Sequence, residues 1–312
     1  MMESVVCNLC GFDQGVPERN LTDLLLGNNE VVTQLVKCSS CGLIYQNPRP
    51  LLQDMGIYYP PEYESYIEIP PDKLTRLQKM SIDYGIKKRA GFVLKYKSGG
   101  TILDIGCASG RFLSYFKLQP SWQPFGVEIS ETAGNIAKTQ YGLDVTIGAL
   151  EDARFPENFF DVITMWDVLE HLGDPSGTLA EIHRILKPDG ILVLRVPNSE
   201  SDDAHLFKQY WAGLDAPRHF YVFSPTTLKY LLAKNHFEIV ASTTHSGAYP
   251  TFILSFRFFL RAKGLGEKLK WLVGILSSSP VKLITAPLFF LRSSALKGPE
   301  LITIVRNAKA NL

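Results

Sequence analysis

"ILDIGCASGRFL", residues 102–113, is the stretch whose reading decides the fold. A run of Ile and Leu ends in Asp104, Gly106 and Gly110 bracket three small residues, and Phe112-Leu113 resume an apolar pattern: strand, tight turn, helix. The glycines do not follow the GxGxxG spacing of a dinucleotide fold, whose second glycine lets the backbone approach a pyrophosphate. No Lys-Ser or Lys-Thr follows Gly110, so a phosphate-binding loop of the GxxxxGK[ST] type is excluded too. What the stretch offers is acid. Asp104 ends the first strand, and Glu128 ends the second in "PFGVEIS" (124–130), where a carboxylate can accept both hydroxyls of a ribose. An acid beside the first helix suits a cationic ligand and repels a diphosphate.

Outward from this turn, short apolar runs alternate with amphipathic stretches, the sequence form of a doubly wound parallel α/β sheet. The pattern predicts strands near 101–105, 123–127, 144–147, 160–166 and 190–196, and helices near 110–118, 131–140 and 176–186. Lys187, Pro188 and Gly190 are read as stop signals for the last of these helices. A helix at 225–234, a strand at 237–243 and a final strand at 300–307 follow. Upstream, 45–66 is dense in Tyr and Pro. Residues 73–96 carry Leu74, Leu77, Ile82, Ile86, Phe92 and Val93 at helical spacing, giving one helix or two broken near Gly85. Ligands of such sheets bind beyond the carboxyl ends of the strands, where Asp104 to Gly110 lies.

With 312 residues, 46% hydrophobic and 20% charged, the chain has ordinary globular composition and room for two domains. A net charge of +1 removes the electrostatic case for a dedicated nucleic-acid binder, and no nucleic-acid partner is expected. "MMESVVCNLCGFDQG" lacks the charged start and apolar core of a signal peptide, and no run reaches the roughly 18 apolar residues of a spanning helix. A cytoplasmic location is expected on these grounds.

Four cysteines fall in two CxxC pairs, Cys7/Cys10 and Cys38/Cys41, each followed by a glycine suited to a tight turn. Two such knuckles supply four thiolates to zinc in a tetrahedron with no open position, which marks a structural metal. "VVTQLVK" (31–37) reads as a strand leading into the second knuckle, so residues 1–50 are expected to form a small zinc ribbon. The competing reading, a pair of redox motifs, fits poorly, since a thioredoxin-like site carries one CxxC inside a βαβ unit.

In order and interval, "ILDIGCASGRFL", "GVEIS" (126–130), "FFDVITMWDVLEHL" (159–172) and "HRILKPDGILVLRVPN" (183–198) resemble the motifs of the class I S-adenosylmethionine-dependent methyltransferases, with Ala108 where the central glycine usually stands. The resemblance implies a Rossmann-like seven-stranded sheet with helices on both faces, its last strand antiparallel, and S-adenosyl-L-methionine as cofactor. It further implies that Gly106, Cys107, Ala108 and Gly110 approach the methionine part, with Asp104 near its amino group. Glu128, next to Ile129, would take the ribose. Glu151 or Asp152 in "GALEDARF" (148–155) would meet the adenine, and Trp166 and Asp167 would line the methionine side.

Methyl transfer asks little of side chains beyond in-line positioning, and needs a base only if the acceptor must lose a proton. Two histidines are candidates: His171, just past the fourth strand, and His219 in "DAPRHFYVFSP" (215–225). His183 is read as merely solvated. The ribbon ahead of this core resembles a group that includes sugar C-methyltransferases acting on nucleotide-linked deoxysugars, to whose acceptor site Tyr58, Tyr59, Tyr63 and His219 would correspond. Those enzymes carry a further α/β domain for which no counterpart is expected in these 312 residues, which leaves O- and N-methylation open. "DVLEHL" also resembles quinone-type O-methyltransferases that can hold a metal, where Asp167, Glu170 and His171 would be the trio; helix capping is the plainer reading.

The division expected is ribbon 1–50, connector and helix 51–98, methyltransferase core 99–249, insertion 250–298, and final strand with tail 299–312. The insertion is apolar yet dotted with Arg257, Arg261, Lys263, Lys268, Lys270, Lys282 and Arg292 against the single acid Glu267. That pattern suits a lid, a homodimer surface or peripheral contact with a membrane's inner face. The acceptor expected is a small molecule, a nucleotide-linked sugar or lipid-linked glycan. The alternatives are a quinone-like or prenylated acceptor, or RNA or protein. A ribbon rich in Glu3, Asp13, Glu18, Asp23 and Glu30 speaks against the last two.

Overall fold

The computed structural model describes residues 1–60, 73–293 and 296–308. The chain opens with a ribbon of three strands, β1 (Gly15–Asp23), β2 (Asn28–Cys38) and β3 (Ile44–Gln46), paired antiparallel in that order. The expected strand at 31–37 is therefore longer, and β1 lies where none was expected. "GVPERNLTD" buries only Leu21 and Asp23 completely, so it carries no alternation to read.

Downstream, α1 (Arg76–Leu94) runs unbroken through Gly85, its start fixed by a capping box between Thr75 and Gln78. Of the apolar positions that predicted it, Leu77 is exposed, because only the C-terminal half packs, through Ala90 and Val93, against the core.

Next come β4 (Gly100–Ile105), α2 (Arg111–Lys117), β5 (Trp122–Glu128), α3 (Glu131–Tyr141), β6 (Asp144–Ile147), β7 (Phe160–Trp166), α4 (Pro175–Ile185) and β8 (Leu186–Pro197). A helical stretch α5 (Asp202–Phe207), the two-residue strand β9 (Tyr221–Val222), α6 (Pro225–Lys234) and β10 (Phe237–Thr243) follow. Three helices, α7 (Ala248–Ala262), α8 (Lys270–Leu276) and α9 (Ser279–Arg292), then precede the last strand, β11 (Glu300–Asn307).

The main sheet has seven strands in the order β6-β5-β4-β7-β8-β11-β10, with β11 antiparallel to both neighbours. This is the Rossmann-like methyltransferase arrangement. Order reverses between β4 and β7, so a crevice opens at their carboxyl ends. Alternation sorts the strands into two cores. Leu103, Ile163 and Leu192 face α4, α6 and the ribbon residues Cys7, Leu43 and Tyr45, whereas Ile102, Val162 and Val193 face α1, α2 and α3. The strand β8 begins before the expected 190: Leu186 pairs with Phe160, and the register then shifts before Ile191 meets Val162. Pro188 has no N–H to give the ladder, so "KPDG" makes an irregularity within the strand instead of a loop ahead of it.

The ribbon does not stop at residue 50. β9, from the loop that bears His219, joins its sheet through Tyr221↔Tyr45 and Val222↔Ile44. The ribbon is thereby tied to the rim of the crevice. Among the described residues no helix is long and apolar enough to cross a membrane.

Candidate active site

At the end of β4 the chain turns through three left-handed residues, Gly106 (φ 70°), Ala108 (φ 48°) and Gly110 (φ 81°). The N–H groups of Gly106 and Cys107 both donate to the carbonyl of Val127, at 2.8 and 3.1 Å, which fixes the turn against β5. At Gly110 a Cβ would lie 2.5 Å from the Leu143 side chain and 2.9 Å from Ala137, so glycine is required for close packing as well as for φ. Gly110 and the buried Cys107 thus shape the turn, and Gly106 and Ala108 present it to the crevice.

Glu128 binds the two sides of this turn together. Its Oε2 accepts from Ala108 N–H and its Oε1 from Ser130 N–H, both at 2.8 Å, leaving each oxygen a lone pair for a further donor. Ile129 beside it is 77% exposed, an apolar surface open to a flat ring. The two acids of "GALEDARF" separate: Asp152 accepts from Ala149 N–H at 2.9 Å, capping its own turn, while Glu151 stands on the crevice wall. Asp104 lies behind the turn, fully buried, with Thr164 donating its hydroxyl proton at 2.5 Å. Burial pushes its pKa up to about 7. The guanidinium groups of Arg89 and Arg195 each lie 5.8 Å from the ring of Trp166. Asp167, at φ 58°, accepts from Arg195, whose Nε lies 2.8 Å from Oδ1.

The other end of the crevice holds Glu170, His171 and His219. The trio of Asp167, Glu170 and His171 that the quinone-type resemblance would imply is not what the fold assembles. Asp167 is occupied by Arg195, and His219 takes its place: one ligand atom from each of Glu170, His171 and His219 lies within 4.8 Å of the others. The two imidazoles meet edge to face, centroids 4.4 Å apart. His219 Nδ1 lies 3.0 Å from the carbonyl of Gly213, which can only accept, so Nδ1 carries a proton and the lone pair of the neutral ring is on Nε2. The same logic applies to His171, whose Nδ1 is 3.0 Å from the Arg218 carbonyl and 3.0 Å from the Tyr59 hydroxyl. Burial, and then the neighbouring His219, push the pKa of His171 down to about 3. Glu170 is fully buried, and among the described residues neither carboxyl oxygen has a hydrogen-bond partner. Burial first, and then the charge of Asp167, hold it well above the usual carboxylate range. Tyr59 meets this group; Tyr63 falls outside the described residues.

Sequence reasoning missed what holds the His219 loop in place. Arg218 is completely buried and reaches across to the ribbon: Nη1 and Nη2 donate to the two oxygens of Asp23 at 2.8 Å each, and Nη2 also donates to Asp215 at 2.7 Å. Gln46 of β3 donates Nε2 to the carbonyls of Pro217 and His219, at 3.1 and 2.7 Å. Adjacent charge and histidine in "DAPRH" were the available signal, but the partner lies 195 positions away.

In the ribbon, Cys7 Sγ is 3.5 Å from Cys41 Sγ and Cys10 Sγ 3.5 Å from Cys38 Sγ, and all four sulfurs lie within 4.8 Å of one another. No disulfide joins them. Four thiols at such separations fit a tetrahedral metal with metal–sulfur bonds of about 2.3 Å.

Both ends belong to one cavity of about 1160 Å³, walled by Gly106, Glu128 and Glu151 on one side and by His171, Asp215 and His219 on the other. Residues 82–242 match the family described as "Methyltransferase domain", about half of the chain. The chain belongs to this methyltransferase family. It is 30% identical over 152 residues to the demethylmenaquinone methyltransferase of Symbiobacterium thermophilum, a match covering 43% of this chain and 61% of that protein. It is also 30% identical over 128 residues to the ubiquinone biosynthesis O-methyltransferase of Pseudomonas paraeruginosa, covering 39% and 52%. The chain spans about half the length of the curated relatives it matches. Its fold superposes on the [4+2]-cyclase SpnF with a TM-score of 0.52 at 18% identity, covering 84% of this chain and 98% of that one. A cyclase on the same fold shows that the sheet alone does not choose the reaction.

Proposed function

We propose that this protein transfers a methyl group from S-adenosyl-L-methionine to a small-molecule acceptor seated against Glu170, His171 and His219. The observation that carries the reading is the single cavity of about 1160 Å³, larger than the 300–1,000 Å³ common for one ligand and so able to hold two side by side. The residues present fit the cofactor. Glu128 keeps acceptor lone pairs for a ribose, Ile129 offers an apolar face, and Glu151 stands where it can accept from an exocyclic amine. When bound, the cofactor supplies an electrophilic methyl sulfonium.

The rest is the work of this chain's residues. The turn at Gly106 to Gly110 and Glu128 orient one end of the cavity. His219 offers the Nε2 lone pair to take a proton from the acceptor, and Glu170, kept neutral, offers an O–H to an acceptor oxygen. A hydroxyl-bearing acceptor, a sugar or the glycan of a lipid-linked intermediate, suits this pairing of base and neutral acid. The four cysteines would hold a structural zinc, and the ribbon it stabilises would keep the His219 loop in register through Gln46 and Asp23.

Titration calorimetry with S-adenosyl-L-methionine tests the cofactor assignment. Wild-type protein should bind, and Glu128→Ala should bind about 10²–10⁴-fold more weakly, since two hydrogen bonds to a charged group are lost at about 1.5–3 kcal/mol each. Equal affinities would remove Glu128 from the site, and no binding by the wild type would sink the reading.

A further inference from the structure

The insertion between β10 and β11 is anchored on one side only. Phe289 of α9 packs edge-on against Phe252 of α7, ring centroids 5.4 Å apart, Tyr249 donates its hydroxyl to the carbonyl of Leu276, and Arg292 donates to Asp203 at 2.7 Å. Among the described residues nothing covers the outer side. Ile284, Leu288 and Leu291 are 78, 57 and 68% exposed, and at about 100° per residue they form one stripe along α9. Trp271 and Ile275 of α8 are 62 and 51% exposed.

Cations accompany this apolar surface. Lys268 and Lys270 are exposed where α8 begins, Lys282 is exposed about 160° round α9 from Ile284, and Glu267, 3.7 Å from Lys270, is the only acid between 250 and 298. The whole chain carries only +1, so the cation excess is local to this segment. A second copy of the chain is a poor match. A two-fold contact sets a patch against itself, which would bring this cation-rich face up to its own image, and lysine is depleted at protein interfaces. The exposed apolar surface of α8 and α9, with Lys268 and Lys270 exposed where α8 begins, instead matches the interfacial region of an anionic bilayer, with acyl boundary beneath the apolar residues and headgroups beside the ammonium groups.

We propose that the outer face of α8 and α9 docks on an anionic membrane surface, and that the cavity takes an acceptor presented there, a lipid-linked one. The second half rests on the methyl-transfer reading. It draws on α7, which lines the cavity with Pro250, Thr251, Leu254 and Phe258 while packing against α9. The wall of the acceptor cavity and the docking face are thus two layers of one helical unit.

Co-sedimentation with vesicles, run without cofactor or acceptor, tests the docking. The protein should pellet with vesicles of equal parts phosphatidylcholine and phosphatidylglycerol. It should bind pure phosphatidylcholine at least about tenfold more weakly, and the difference should shrink as salt is raised. The double variants Leu288→Asp/Leu291→Asp and Lys268→Glu/Lys270→Glu should each lose about tenfold or more of the affinity for the mixed vesicles. All these side chains are exposed and none lines the cavity, so both variants should titrate S-adenosyl-L-methionine as the wild type does. Wild-type protein left in the supernatant with mixed vesicles overturns the proposal, as does a leucine double variant that still pellets. A dimer in light scattering that the leucine variant splits, with no vesicle binding, would assign the face to a second copy. Vesicle binding without cofactor binding would leave the docking standing and remove the methyl-transfer reading alone.

Discussion

Arg218→Met should destabilise the protein by about 3–5 kcal/mol in urea denaturation, the cost of removing one partner from a buried ion pair. The arginine is completely buried, and the substitution leaves the carboxylates of Asp23 and Asp215 without the donors that bridge them. Asp23 is itself 1% exposed and cannot recover its hydration by a small shift. Adding Asp23→Asn to the variant should restore part of the loss, because it removes one uncompensated charge; a purely steric defect would not respond. Acid sensitivity should change too. Burial opposes the charge of Asp215, yet His219 and Arg218 hold its pKa below the usual carboxylate range. The stabilisation this gives is present above the unfolded pKa of about 3.9 and lost as pH falls through the folded value. With Arg218 gone, the acid-side loss should begin at higher pH. A cost under about 1 kcal/mol would place the clamp in the class of weak surface pairs and refute its role.

This clamp also shows where the sequence ceased to be legible. The β4 turn could be read because its information is local: a hydrophobic run, two glycines and an acid within nine residues. The order of strands followed from motifs met in sequence. The Asp23 to Arg218 link has no such signature. It joins a ribbon strand with almost no buried alternation to a loop 195 positions later, and only the folded ribbon brings them together.

Glu151 and Asp152 were equivalent in sequence, and a local capping bond separated them: the turn spends Asp152 on Ala149. Asp167 and His219 exchanged places in the cluster with Glu170 and His171 for a similar reason. A strong competitor, Arg195, captures Asp167, and the ribbon-held loop delivers His219. Leu77 gave helical spacing truthfully, although what it spaced was an exposed face of α1. Periodicity reports the helix, and burial depends on what the rest of the chain lays against it.

His219→Asn should lower kcat by about 10²–10⁴-fold, the usual contribution of a positioned general base, with little change in cofactor affinity. The substitution separates the two nitrogens of the ring. The asparagine amide can still donate to the Gly213 carbonyl as Nδ1 does, and only the Nε2 lone pair is lost. His219→Gln makes the complementary change, offering a polar atom near Nε2 but no basic one, and should be as slow. His171 is the competitor, 4.4 Å away between ring centroids. Its pKa, pushed down to about 3 by burial and by His219, leaves it neutral at every working pH but too weak a base to hold a proton in a transition state. His171→Asn should therefore raise KM more than it lowers kcat, acting through the contacts to Tyr59 and the Arg218 carbonyl. Were His171→Asn the slower enzyme at saturating acceptor, the two histidines would exchange roles. Were both variants as fast as wild type, the acceptor would need no base, as for a nucleophile that reaches the cavity already deprotonated.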